Sequence, residues 1–368
     1  MTPVTKIKIF AVFALILAAQ ESQAIAHHNA APGSQAANPV IGANFLGLYL
    51  RGPKLPQDSK QVPHNGFSLQ ESEFSFSSDV DPYFKASAVF SVAQENGQSE
   101  FSISPEEVYF ETLSLPWVNL RVGKFKAAFG KQNSLHTHAY PFIDSPLINQ
   151  QLFGAEGLNE VGASAAVLIP ASWFIEIIAQ TFTTRNEALF NSPNSGDLGG
   201  LLHLKNLWDL NDDITFEAGL SGVLGTNSAD QTASVCGADL TLKWRPASGG
   251  KYKAVSFTTE FLYGKRKEIK DSDSGLSAEK ITGLASWLQY QFAERWWAQG
   301  RVEKAYGISQ FPGSANDFKV STLLGFFPSE FSGLRMQYDF HNLASNTTDH
   351  TLGLQYIISI GAHPAHAY

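Results

Sequence analysis

The chain has 368 residues, of which 43% are hydrophobic and 16% charged, and its mean hydropathy is −0.11. That balance excludes a bundle of apolar membrane helices, and a net charge of −8 gives no general electrostatic attraction for nucleic acid. The single cysteine, Cys236, excludes an intrachain disulfide and lies too far along the chain to be a lipid-modified N-terminal cysteine.

Lys6 and Lys8 precede an apolar stretch at 9–19, and small residues around Ala24 and Ala26 offer a cleavage site. Residues 1–26 therefore read as a secretory signal peptide. The apolar stretch is too short to cross a bilayer as a helix, and no other apolar run is long enough. Residues 27–39, rich in Ala, Gly, Ser and Pro, read as a flexible periplasmic lead-in, short for a folded plug.

From there to residue 361 the chain alternates apolar and polar residues in segments at 41–51, 67–78, 83–93, 101–113, 117–124, 160–169, 173–182 and 200–208. The pattern resumes at 213–224, 232–245, 252–264, 280–292, 295–305, 318–327, 331–341 and 351–360. Most reach the roughly 9–11 residues that a tilted strand needs to cross a membrane. Leu352, Leu354, Tyr356, Ile358 and Ile360 share one face of the last segment, as do Phe84, Ala86, Ala88, Phe90 and Val92 earlier. Lys85, Thr215, Glu217, Ser221 and Gln355 fall on the opposite, polar face. Connections are long at 52–66, 123–160, 183–199, 265–278 and 306–317, and tight at 79–82, 114–117, 170–172, 211–212, 293–294 and 328–329.

A sandwich has no reason to alternate its connections in this way, whereas an outer-membrane barrel does. The expected fold is all-β: a transmembrane antiparallel β-barrel of about 16 strands over 40–361. Residues 362–368 form a tail containing His363 and His366. Trp117, Trp173, Trp208, Trp244, Trp296, Trp297, Tyr252 and Tyr263 lie near segment ends and read as an interfacial girdle. The setting is the Gram-negative outer membrane, reached by signal-directed export, with outer-membrane lipid and lipopolysaccharide as partners.

The longest connection begins Arg121-Val122-Gly123-Lys124-Phe125-Lys126-Ala127-Ala128-Phe129-Gly130-Lys131. This stretch resembles the phosphate-selective porin O and P family, whose barrel strand enters a long loop through a Gly-Lys/Arg-Phe-Lys-x-x-Phe-Gly motif. This chain has Ala127 and Ala128 where that family often has prolines. The resemblance implies a loop folded into the lumen, narrowing it, with basic residues that bind anions there. Lys124, Lys126 and Lys131 would then set a mild anion preference, because a narrow low-dielectric passage magnifies nearby charge. Asp144 and Glu156 would supply the opposite side of a transverse field.

His136 and His138, in the same connection, have the donor chemistry of a metal pair, imidazole being a common ligand for zinc, copper and nickel, with zinc as the candidate ion. Two ligands are too few, so Asp144 or an outside group would complete the set. Cleavage after Ala24 would also leave Ile25-Ala26-His27 at the mature start, an arrangement suited to Cu(II). No other cofactor is implied. For catalysis the candidates are Asp339 with His341, or His203 with a serine, but no motif brings a nucleophile, a base and an orienting group together. The expected function is a non-enzymatic, porin-like channel for passive diffusion of small hydrophilic solutes or ions. Porins of this size suggest a homotrimer by analogy. A metal-linked zinc uptake barrel and a structural or adhesive barrel are the alternatives.

Overall fold

The computed structural model describes residues 39–53, 65–94, 101–186, 188–247, 252–269, 276–307, 316–343 and 347–361. The expected signal peptide, nearly all of the lead-in and the C-terminal tail lie outside the described residues.

The strands are β1 (Val40–Arg51), β2 (Gly66–Asp79), β3 (Phe84–Gln94), β4 (Phe101–Thr112), β5 (Val118–Lys126), β6 (Asn159–Ile169) and β7 (Phe174–Thr183). After them come β8 (Arg185–Asn186) and β9 (Phe190–Asn191), which pair with each other as a small ladder inside one connection. The series continues with β10 (Leu198–Asn211), β11 (Ile214–Thr226), β12 (Thr232–Trp244), β13 (Ala254–Ile269) and β14 (Leu276–Ala293). It ends with β15 (Trp296–Tyr306), β16 (Asn316–Ser329), β17 (Ser332–Asn342) and β18 (Thr348–Gly361).

Leaving out β8 and β9, these strands form one closed antiparallel barrel. Every strand pairs with its neighbours in the barrel order, and β1 closes on β18 from Gly42↔Gly361 to Arg51↔Leu352. Closure satisfies every edge, which a membrane-spanning sheet must do because hydrocarbon offers no hydrogen bonds.

Each of the expected segments overlaps a barrel strand, with most ends shifted by no more than two residues, and the faces follow the alternation. Leu352, Leu354, Tyr356 and Ile360 are exposed outward, while Gln355 and Ser359 are buried inward. Trp208 and Phe216, opposite each other in register, stack on the outer face near the 212–213 turn. Trp297 departs from the expected girdle: its neighbour Trp296 is exposed, and Trp297 is buried on the inward side.

Connections are short on one end of the barrel, at 212–213, 294–295 and 330–331, with 245–253 the longest there. The other end carries the longer ones, with one correction. The β13–β14 ladder continues from Lys265↔Lys280 to Ile269↔Leu276, so most of the loop expected at 265–278 is paired strand.

A transmembrane barrel has no dry centre of its own. Its clusters of buried apolar residues arise where the β5–β6 connection, joined by Leu189 and Phe190 of the β7–β10 connection, meets the inner wall. One cluster joins Phe129, Ile148, Leu152 and Phe153 to Val235, Leu262 and Ile281, and a second joins Phe142 and Ile143 to Leu48, Leu50, Trp287 and Leu323.

Candidate functional site

The connection at 127–158 lies inside the barrel, and its base is built by the motif that opens it. Gly123 has φ +138°, and a side chain there would strike Val108 O at 2.2 Å and Tyr109 Cα at 2.6 Å. Gly130, at φ +60°, packs against Glu260, which leaves no room for a Cβ. Between them Phe125 and Phe129 are fully buried. The neck is closed by Asn133, whose Nδ2 donates to Ala127 O and Leu158 O while its Oδ1 accepts from Leu158 N. Only glycine tolerates these close approaches and positive φ values, so much of the Gly-Lys-Phe-Lys-x-x-Phe-Gly signature is the joint that turns the chain inward.

Beyond the joint, the loop meets the inner wall at three polar anchors. At the first, Gly130 N–H donates to Ser221 Oγ, Lys131 N–H to Glu260 Oε1, and Lys131 Nζ to Glu217 Oε1 at 2.8 Å. His203 Nδ1 lies 2.8 Å from the same Ser221 Oγ. This serine–histidine pair therefore serves the loop contact.

The second anchor is histidine-centred. His136 Nδ1 lies 2.6 Å from Glu106 Oε2, and its Nε2 lies 3.0 Å from Glu107 Oε2. His138 Nδ1 lies 2.7 Å from Glu73 Oε2, and the two imidazoles stack with centroids 5.9 Å apart. Consecutive glutamates reach one ring because the β3–β4 register shifts between Val89 and Phe90, which leaves Glu106 as the extra residue. A bulge of this kind re-aims a side chain that strict alternation would send outward. Burial alone would favour a neutral His136 ring, but hydrogen bonding to Glu106 and Glu107 outweighs it and raises its pKa to about 10.

At the third anchor, Asp144 accepts from Arg301 Nη2 at 2.8 Å, from Lys319 Nζ at 2.5 Å and from Gln337 Nε2 at 2.8 Å. Arg301 Nη1 and Arg335 Nη1 also donate to the backbone oxygens of Asp144 and Tyr140. Burial would raise the Asp144 pKa, but Arg301 and Lys319 outweigh it and hold the carboxyl below the usual carboxylate range.

A short helix, α1 (Leu147–Phe153), follows, its Leu147 N–H donating to Glu303 Oε2. It lies on an apolar strip of wall where Gly283 and Gly264 leave space for Ile148 and Leu152, just as Gly237 does for Phe129.

The expected site residues are therefore divided. His136 and His138 come together. Lys131 sits apart from them in an ion pair with Glu217. Lys126 is buried, its Nζ directed at Glu156 O and its charge felt by Glu106. Lys124 departs from the expected lumen cluster: it pairs in register with Val108 and Val161, both exposed on the outer face, and its Nζ bonds Pro105 O. Asp144 does not complete the histidine pair, because its partners are on β15, β16 and β17; Glu73 and Glu106 stand there instead. Those two glutamates, with Arg301, Lys319 and Arg335, were not among the expected site residues. Inward alternation marks most of them as lumen wall, but which of them meets the loop depends on long-range placement.

No family model matches the chain, so the resemblance to the phosphate-selective porin O and P family has no such match behind it. An uncharacterised protein of Aquifex aeolicus (strain VF5) is 25% identical over 350 residues, covering 82% of this chain and 70% of that protein. Among solved structures, OprB of Pseudomonas putida superimposes with a TM-score of 0.60 at 8% identity, over 88% of this chain and 94% of that one. The outer-membrane channel DcaP of Acinetobacter baumannii gives 0.58 at 12% identity, over 88% and 96%. An anion-selective porin from Comamonas acidovorans gives 0.55 at 9% identity, over 88% and 97%. At such identities the likeness is one of fold, and the fold this chain shares with them is the closed antiparallel barrel of the outer-membrane porins.

Proposed function

We propose that the protein is an outer-membrane channel for passive diffusion of small hydrophilic solutes or ions, narrowed by the loop at 127–158. The observation that carries this reading is a lipid-compatible barrel whose inner wall is lined with charged residues and crossed by an inward loop anchored at several points of the wall. The fold likeness to porins supports it, and assembly as a homotrimer belongs to the same reading, as the trimer form of Vibrio cholerae OmpT illustrates for a similar barrel.

The mild anion preference expected from the three lysines is not part of the proposal. Lys131 faces Glu217, Lys126 lies beside Glu106, and Lys124 points away from the lumen. Paired charges leave only a small net field in the passage, so the selectivity is weak. Planar-bilayer recording tests this. The intact protein should give small steps with a reversal potential near zero in a salt gradient, and replacing 131–156 by a short Gly/Ser linker should raise conductance several-fold. Equal conductance with and without the loop would place the narrowing elsewhere, and a strongly anion-selective wild type would overturn the charge argument.

A further inference from the structure

Of the three anchors, the histidine-centred one has features the loop contact does not need. His136 Nδ1, Glu106 Oε2 and Glu73 Oε2 converge on one point: the first two are 2.6 Å apart, and Glu73 Oε2 lies 3.7 Å from the same nitrogen. All three donor atoms lie within 4.8 Å of one another. Donors this close can reach the bond lengths of about 2.0–2.2 Å that zinc takes from nitrogen and carboxylate oxygen with small rotamer shifts. His138 is hydrogen-bonded to the same Glu73 oxygen and so holds that carboxylate in place beside the other two donors.

The surroundings are arranged as a metal's outer shell would be. Glu107 holds His136 from the opposite ring nitrogen, 3.0 Å away, which is how carboxylates fix the tautomer and orientation of metal-bound imidazoles. The Glu73 side chain is only 3% exposed, yet its Oε1 has no hydrogen-bond partner, and neither does Oε1 of buried Glu71. A buried carboxylate oxygen without a partner needs an explanation, and a bound ion supplies one. Glu71, Glu73, Glu106 and Glu107 gather here around Lys126 and the His136 and His138 rings, which puts several carboxylate oxygens within reach of one ion.

We propose that Glu73, Glu106 and His136, with His138 beside them, form a binding site for one divalent transition-metal ion of the zinc class, which fastens the loop to β2 and β4. Nitrogen together with carboxylate oxygen suits zinc better than magnesium or calcium, which take oxygen alone. On binding, the ion takes the lone pair of His136 Nδ1 and a carboxylate oxygen from each glutamate, and the proton shared between Nδ1 and Glu106 leaves to solvent. The site stands independently of the channel reading, since binding is measured without conductance.

The test uses the full chain in detergent, stripped with chelator and titrated with zinc chloride by calorimetry. It is run beside a background in which His27, His28, His363 and His366 are replaced by Ala, so that histidines near the two ends of the chain do not contribute. The expected result is one zinc per chain in that background, with affinity lowered at least about tenfold by Glu106→Gln and by Glu73→Gln. Loss of all binding in the background, or unchanged affinity in both glutamine variants, overturns the proposal. Should either variant fail to assemble, X-ray absorption of the zinc-loaded background barrel decides: a shell of imidazole nitrogen with carboxylate oxygen supports the site, and a shell lacking imidazole overturns it.

Discussion

At the scale of single residues, the interior works by pairing charges across the loop–wall boundary. Asp144 shows the consequence most directly. Arg301, Lys319 and Gln337 converge on its carboxylate, with Glu303 and Asp339 behind the cations. Asp144→Asn removes the charge and leaves Arg301, only 2% exposed, with one acid fewer, a loss of about 1–3 kcal/mol of loop docking. The pH dependence follows from the lowered pKa. A carboxylate depressed in the folded state contributes fully above its ordinary value, near 3.9, and its contribution is lost as pH falls through the lower folded value. Conductance should therefore stay level from neutral pH to about 5 and rise in stronger acid as the anchor releases. Asp144→Asn should be high and flat over the lower range, and an acid response identical in the variant would assign the effect to other carboxylates.

At the scale of elements, the loop is held as much by shape as by charge. Ile148 and Leu152 of α1 and the Phe129 ring fill positions where Gly283, Gly264 and Gly237 leave the wall without side chains. Leu152 and Phe129 are fully buried, so Leu152→Ala should cost about 2–5 kcal/mol of loop docking and Phe129→Ala about 3–5 kcal/mol. The barrel strands keep their ladders in both variants. Protease cleavage within 131–156 should accelerate while the heat-modifiable gel shift of the folded barrel persists; loss of that shift would mean that the loop is part of the barrel's folding core. This division also explains how much could be read from the sequence. Strands were legible because period-2 alternation is local and each strand repeats it. The inward turn was expected only through the family resemblance of the stretch from Gly123 to Gly130, not from the residues on their own. The partners of His136 were not, because Glu106 and Glu107 act together only through a bulge, and a bulge is set by strand pairing that no local pattern encodes. Lys124 was misplaced for a related reason: proximity in sequence to Lys126 and Lys131 does not keep residues on one face where a strand passes into a loop.

At the scale of the whole molecule, the barrel inverts the usual order of a folded protein. Leu220, Leu224, Leu240, Leu242, Phe257, Phe261, Leu284 and Leu288 all face outward and are well exposed, while Glu217, Asp239, Glu260, Arg301 and Glu303 are buried within. In water such a surface would be a continuous apolar patch far larger than soluble monomers carry, and lipid is the medium that covers it. Leu220, at the middle of β11 and 58% exposed, tests the inversion. An arginine there places a charge near the bilayer midplane and should cost about 2–4 kcal/mol of barrel stability. Thr215 lies on the same strand but inward, hydrogen-bonded to Asp209 near the short-turn end. An arginine there gains carboxylate neighbours and should change stability by no more than about 0.5 kcal/mol. Reversible urea unfolding in lipid vesicles measures both. Equal destabilisation by the two substitutions would mean that the outer face does not meet lipid, since only a hydrocarbon surround makes one side of the same strand intolerant of charge and the other indifferent to it.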